Sequence, residues 1–396
     1  MQRNIICLYM IKISYWFLLV MPIIFLFYKE NGLKTSDLFI IQSVFSLTIV
    51  LLEIPSGYLA DLFGRKSVIV IGTIFGFSGY FLYSITHGFW GFLIAEIILG
   101  VGQSMISGAD SAILYDSLIE QGRSDKYLMY EGRMTSIGNF AEAIAGVTGG
   151  FLGAISLRFP YYGQAVVAFL SIPAAVALIE PKIHKIHSSE SLRYFWKIIR
   201  YSLHENKILR WNIVLSSVIG SATLSMAWFV QPFFKQVDIP TSIYGILWTI
   251  LNFSVGISAL FAYRIERSLG QIKAILFIAI TISLGFLLTG LSNSYFGLAI
   301  ILLFYLIRGI ATPILKDYIN KLTPSEMRAT VLSMRSLLIR SLFAVIAPFV
   351  GWMSDKYSLS TALIISSVLF FILSSGTTMF FIKAKNKISI MKNARN

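Results

Sequence analysis

Twelve separate stretches of about 20 mostly apolar residues recur along this chain, and that repetition constrains it to a bilayer. A helix rising 1.5 Å per residue crosses the hydrocarbon core in about 20 residues while bonding every backbone N–H and C=O within itself. The stretches lie at 5–28, 37–60, 67–87, 89–116, 130–155, 160–180, 210–235, 242–264, 271–291, 294–317, 328–353 and 358–382. With 56% hydrophobic and 13% charged residues, the chain is far more apolar than a soluble protein of 396 residues needs to be. The reading is an all-α membrane protein with twelve transmembrane helices.

Positive charge orients them. With a cytoplasmic N-terminus, the inner segments carry 24 of the 33 Lys and Arg, while the outer loops hold only Lys29, Lys34, Arg158, Lys235 and Lys356. Both termini are therefore expected in the cytoplasm, in a cell membrane of bacterial type. Basic inner loops account for the net charge of +14 without nucleic acid. The first span contains Lys12 and Pro22 and no small-x-small cleavage site, so it reads as a membrane helix rather than a removed leader. A single cysteine, Cys7, excludes an internal disulfide and a cysteine metal cluster. No cofactor and no metal are expected.

The spans divide six and six about residues 181–209, the one long polar connection, giving bundles at 1–180 and 210–396. Within the connection Leu192, Phe195, Trp196, Ile199 and Leu203 recur at helical spacing, which predicts a helix lying on the inner face of the bilayer. The halves repeat each other. Ile106, Gly108, Ser111, Ile113, Leu114 and Asp116 match Ile307, Gly309, Thr312, Ile314, Leu315 and Asp317 at one offset. Arg133, Ile137 and Gly149 likewise match Arg335, Ile339 and Gly351. Duplicated bundles of this kind suit a transporter with its substrate site near the midplane.

Between the second and third spans the chain reads Gly57-Tyr-Leu-Ala-Asp61-Leu-Phe-Gly64-Arg65-Lys66. This segment resembles the G-x-x-x-D-x-x-G-R-[RK] loop of the major facilitator superfamily at every fixed position, and with the six-plus-six topology the resemblance covers the whole chain. Gly57 is expected to let two helices approach closely and Gly64 to permit a sharp reversal. The resemblance implies two six-helix bundles that alternate access to a central cavity, with Asp61 capping span 11 and Arg65 pairing with Asp116. It also implies that spans 1, 4, 7 and 10 line the cavity, bringing Lys12, Tyr15, Trp16, Trp228, Gln231, Tyr305 and Arg308 to it. Two motifs depart. Glu96 precedes Gly100 where the family often has arginine, and Ala145-Gly146-Val-Thr-Gly149-Gly150 lacks the proline associated with antiporters.

Ionisable groups inside spans are functional candidates by default. Glu96, Gly100, Gln103, Ser107 and Asp110 are spaced 4, 3, 4 and 3, which predicts one polar stripe on span 4. These charges either face the cavity or pair structurally, Asp110 with Lys12 for instance. No histidine lies deep in a span, so Asp110, Glu96 or Glu142 would carry any coupled proton, and Arg308 would contact an anionic part of a substrate. The glycines around Glu142 in span 5 read as a close-packing surface. The resulting expectation is a monomeric, proton-coupled exporter of an amphipathic small molecule. The alternative is a siderophore or polycarboxylate transporter in either direction, and a more distant one is a sensor or enzyme on the same fold. An enzyme would need a nucleophile and base or a metal site, and the chain has no His or Cys cluster and no phosphate-binding G-x-x-x-x-G-K-[ST] loop.

Overall fold

In the computed structural model the described residues are 2–123, 126–181, 197–324 and 327–393, with the side chains of Asp61, Leu128, Ala329 and residues 387–393 also left aside. Fourteen helices account for almost all of them: α1 (Gln2–Trp16), α2 (Ile24–Glu30), α3 (Thr35–Phe63), α4 (Arg65–Ile85), α5 (Gly88–Ile106), α6 (Ala109–Glu120), α7 (Tyr127–Ile155), α8 (Phe159–Val176), α9 (Lys207–Gln236), α10 (Thr241–Leu269), α11 (Gln271–Leu291), α12 (Phe296–Leu322), α13 (Arg328–Lys356) and α14 (Leu359–Asn393). Ten membrane-length segments, one formed by α5 and α6 together, are apolar enough to cross a bilayer. The other two of the twelve spans are the α1–α2 pair, which is broken, and α7, diluted by glycines and by Glu131, Arg133 and Glu142.

Both breaks in the first unit have local causes. Between α1 and α2 the chain leaves the helix ahead of Pro22, and the freed N–H of Leu19 donates to the Gln164 side chain at 2.8 Å. Between α5 and α6 Gly108 adopts φ +82°, a conformation that favours glycine, and Asp110 accepts the N–H of Ser111 at 2.7 Å.

Contacts group the chain into two compact units, Met1–Ser188 with Ile239–Ile250 and Ser189–Asp238 with Leu251–Asn396. In the first unit α4 and α5 cross closely where Gly72 and Gly102 face each other, and Gly79 lies against Ala95 and Leu99. Helix α7 presents glycines to two neighbours. Gly149 and Gly153 meet Leu19 and Ile23, while Gly146 and Gly150 meet Thr249 and Gly245 in the opening turns of α10, where the Thr249 hydroxyl donates to the Ala143 carbonyl at 3.1 Å. That close approach explains why residues 239–250 group with the first unit although the even division of spans starts the second bundle at 210. In the second unit Phe286 gathers Phe229, Phe304 and Phe370 at ring-centroid distances of 6.5, 5.4 and 5.5 Å.

Part of the connection between the bundles is described. Leu192, Phe195 and Trp196 lie outside the described residues, but Ile198, Ile199 and Leu203 pack on Leu209, Ile213, Ile319, Val331 and Met334. Within the described part, Ile198 is buried and Ile199 and Leu203 are half-buried against α9, α12 and α13. Helical periodicity reports that a face is apolar, not what covers it.

Candidate functional site

At the α3–α4 corner Gly64 has φ +90°, as the sharp reversal requires, and starts α4 without a side-chain cap of its own. The cap comes from Glu180, which lies beyond the end of α8. Its two carboxylate oxygens accept the N–H groups of Arg65 and Lys66 at 2.8 and 2.7 Å, placing an anion on the positive end of the α4 dipole. A Cβ at position 64 would touch that carboxylate at 3.0 Å, so the glycine serves both the turn and the cap. Arg65 also donates through Nη1 to Asp116 and, at 2.9 Å, to the Ala112 carbonyl, tying α4 to α6. Lys66 is half-buried beside it. Within its unit nothing lies within 4 Å of a Cβ added at Gly57. The side chain of Asp61 lies outside the described residues. Asp116→Ala and Arg65→Ala are each expected to lower the melting temperature of the purified protein. The double variant should fall short of the summed deficits by about 1–3 kcal/mol of coupling, and strictly additive deficits would exclude a working pair.

The predicted stripe on span 4 is divided. The backbone leaves the helical conformation at Ser107 and Gly108, so Glu96 on α5 and Asp110 on α6 do not share a continuous helical face. Asp110 is ion-paired with Lys12 at 3.4 Å, and the same ammonium lies 5.8 Å from the Trp16 ring centre. Trp16 in turn covers Gly138 of α7. Next to Asp110, the Ser111 hydroxyl donates to Glu131 at 3.2 Å, a carboxylate near the start of α7 that the sequence does not single out. Gln103 and Tyr15 are half-buried on α5 and α1, and Glu142 is half-buried on α7.

Glu96 sits elsewhere, and differently. It is 5% exposed on α5, and one oxygen accepts from Gln42 of α3 at 2.8 Å and from the Tyr83 hydroxyl of α4 at 2.9 Å. Tyr83 shares a further hydrogen bond with Tyr28 of α2. Phe27, Phe92 and Tyr161 surround these groups, with Phe27 and Tyr161 only 4.0 Å apart and Tyr83 within 5.2 Å of both Phe92 and Tyr161. Arg158 lies over the Phe27 ring at 5.2 Å and spends its donors on Ser84, Thr86 and Asn31. Among the described residues no cation lies within ion-pair distance of Glu96.

In the second unit Trp228 and Gln231 lie on α9 and Tyr305 and Arg308 on α12. Arg308 lies 5.4 Å from the Tyr305 ring centre and, among the described residues, has no ion pair with a carboxylate. The corner of this unit keeps the backbone of its counterpart but not its charges. Gly270 has φ +72°, and Gln271 at the start of α11 accepts from Lys385 at 2.7 Å where the first unit has Arg65 and Glu180.

Comparison with known proteins fits this geometry. The Major Facilitator Superfamily profile matches residues 5–348. Quinolone resistance protein NorA of Staphylococcus aureus (strain MSSA476) is 26% identical over 209 residues, 52% of this chain and 50% of that protein, so the match spans about half the length of these relatives. An uncharacterised MFS-type transporter, YxaM of Bacillus subtilis (strain 168), is 23% identical over 336 residues, 80% of each chain. Among solved structures, nucleoside transporter NupG superposes with a TM-score of 0.76 at 14% identity, covering 97% of this chain and 98% of its own. A D-xylose–proton symporter gives 0.69 at 13% identity over 96% of both. At such identities these structures speak for the fold.

Proposed function

We propose, since this chain belongs to the Major Facilitator Superfamily of membrane transporters, that it exports an amphipathic small molecule in exchange for protons, alternating access between bundles 1–180 and 210–396. The similarity to a quinolone resistance protein supports efflux of a drug-like compound. Glu96 is the observation that carries the coupling. Among the described residues its carboxylate is held by neutral donors, so a proton can discharge it without breaking an ion pair there, whereas protonating Asp110 would sacrifice its bond to Lys12. Lys12, Trp16, Trp228 and Tyr305 would supply cation–π and apolar contact for the substrate, and Asp61, Arg65 and Asp116 would control the cytoplasmic side. Both termini would face the cytoplasm of the cell, and the monomer would be the working unit.

A second reading rests on Arg308, whose guanidinium has no carboxylate partner among the described residues. It suits a polycarboxylate or siderophore-like substrate. One experiment addresses both. Proteoliposomes holding the purified protein receive an imposed pH gradient and either a fluorescent amphipathic quinolone or citrate. Gradient-driven movement of the quinolone that an ionophore collapses is the expected result. Movement of citrate alone would replace the first reading with the second, and uphill accumulation of either compound that persists without the gradient would remove proton coupling.

A further inference from the structure

We infer that the second unit contains an anion site, of the carboxylate or phosphate class, built by Arg335 of α13 with Ser216 and Asn212 of α9. Arg335 is 8% exposed, and among the described residues no carboxylate lies within ion-pair distance of it. A buried cation is costly to hold unless paired, so its charge calls for a partner that the described residues do not supply. Its Nε donates to the Ser216 hydroxyl, and its backbone carbonyl accepts from Ser217 at 3.3 Å. Those two bonds fix α9 and α13 side by side at one level.

The direction of the side chain extends the argument. Residues on a helix lean toward its N-terminus, and α9 and α13, as the seventh and eleventh spans, run the same way through the membrane. That lean directs the free end of the Arg335 guanidinium toward the start of α9, the side on which Asn212 stands one turn before Ser216, and the two make no hydrogen bond with each other. Asn212 is 1% exposed and neither its amide nitrogen nor its amide oxygen has a hydrogen-bond partner. Unpartnered buried amides are rare in folded proteins and mark a place where something else completes the bonding. Lys316 of α12 lies within electrostatic reach of Arg335 and adds positive potential. The guanidinium keeps a fork of N–H donors beyond the one spent on Ser216, Ser216 keeps its hydroxyl hydrogen, and Asn212 adds an amide N–H. A planar fork with two flanking donors matches an oxyanion such as carboxylate or phosphate.

That chemistry occurs both in free cytoplasmic anions and in phospholipid headgroups, and the test separates them. The full-length protein, purified in detergent and stripped of lipid, is melted against rising inorganic phosphate or citrate at constant ionic strength, and separately against phosphatidylglycerol micelles. A saturable rise in melting temperature of about 2 °C or more is expected with at least one probe, absent in Arg335→Gln. A response to soluble anions assigns the site to them, and a response to lipid alone assigns it to a headgroup. If Arg335→Gln does not fold, Asn212→Ala keeps the charge, removes one donor and should raise the half-saturating concentration about tenfold. No response in the native protein, or an unchanged response in the folded variants, overturns the site.

Discussion

Gly149→Ala is expected to cost the protein most of its folded yield and to lower the melting temperature of what survives by about 6 °C or more. A Cβ at this position would lie 2.0 Å from the Leu19 carbonyl oxygen, 2.8 Å from its carbon and 3.0 Å from its Cα. All three are backbone atoms, so no rotamer change relieves the clash. Leu19 cannot retreat easily, because its N–H is held by the buried Gln164 in the break between α1 and α2. Separating α7 from that break would expose backbone groups that the bilayer cannot hydrate. Overpacking a core side chain costs about 1–3 kcal/mol, and a clash of backbone on backbone belongs at or above the top of that range. Gly76→Ala supplies the control, since nothing lies within 4 Å of a Cβ there and alanine favours the helix. Size-exclusion profiles and melting curves of the two variants in one detergent decide the matter. Equal behaviour would mean that the α7 contact is far looser than its geometry states.

How much of the molecule is legible in the chain depends on whether the cause is local. The corner at Gly64 is visible because a glycine with positive φ, two cations and their spacing sit together in ten residues, and the partner Asp116 comes with the family resemblance. Glu180 is not visible. It binds backbone N–H groups 114 and 115 residues away, and a carboxylate that caps a distant helix leaves no pattern in its own neighbourhood. The stripe on span 4 rests on one assumption, that the helix is continuous, and Gly108 breaks it; glycine in a span reads equally as close packing or as a turn, and only the backbone distinguishes them. Gly57 shows the converse, a motif glycine whose side faces open space within its unit. The glycines of α7 read as a packing surface from their number alone, yet which neighbour each one meets comes only from the tertiary arrangement. The same holds for Glu96. Its position four residues before Gly100 is plain, but Gln42, Tyr28 and Tyr83 lie on three other helices, and nothing in their spacing announces a shared carboxylate.

Glu96→Gln is expected to uncouple transport from the proton gradient while leaving the protein folded and able to equilibrate its substrate. Glutamine keeps the shape and keeps an oxygen to accept from Gln42 and Tyr83, so the aromatic surroundings of Phe27, Phe92 and Tyr161 need not move. What it removes is the charge and the proton. If Glu96 carries the coupling ion, gradient-driven accumulation should fall to the level of empty vesicles, a loss of at least about tenfold corresponding to some 1.4 kcal/mol of coupling. Downhill exchange should persist, and melting temperature should change little or rise, since a buried carboxylate is replaced by a neutral group that makes the same bonds. Asp110→Asn separates this account from a general effect of lost charge. It breaks the bond to Lys12 and leaves a lysine without its partner, so its main cost should appear as stability. Full gradient-driven accumulation by a folded Glu96→Gln protein would remove Glu96 as the proton carrier. Loss of downhill exchange in that variant would assign the residue to packing instead.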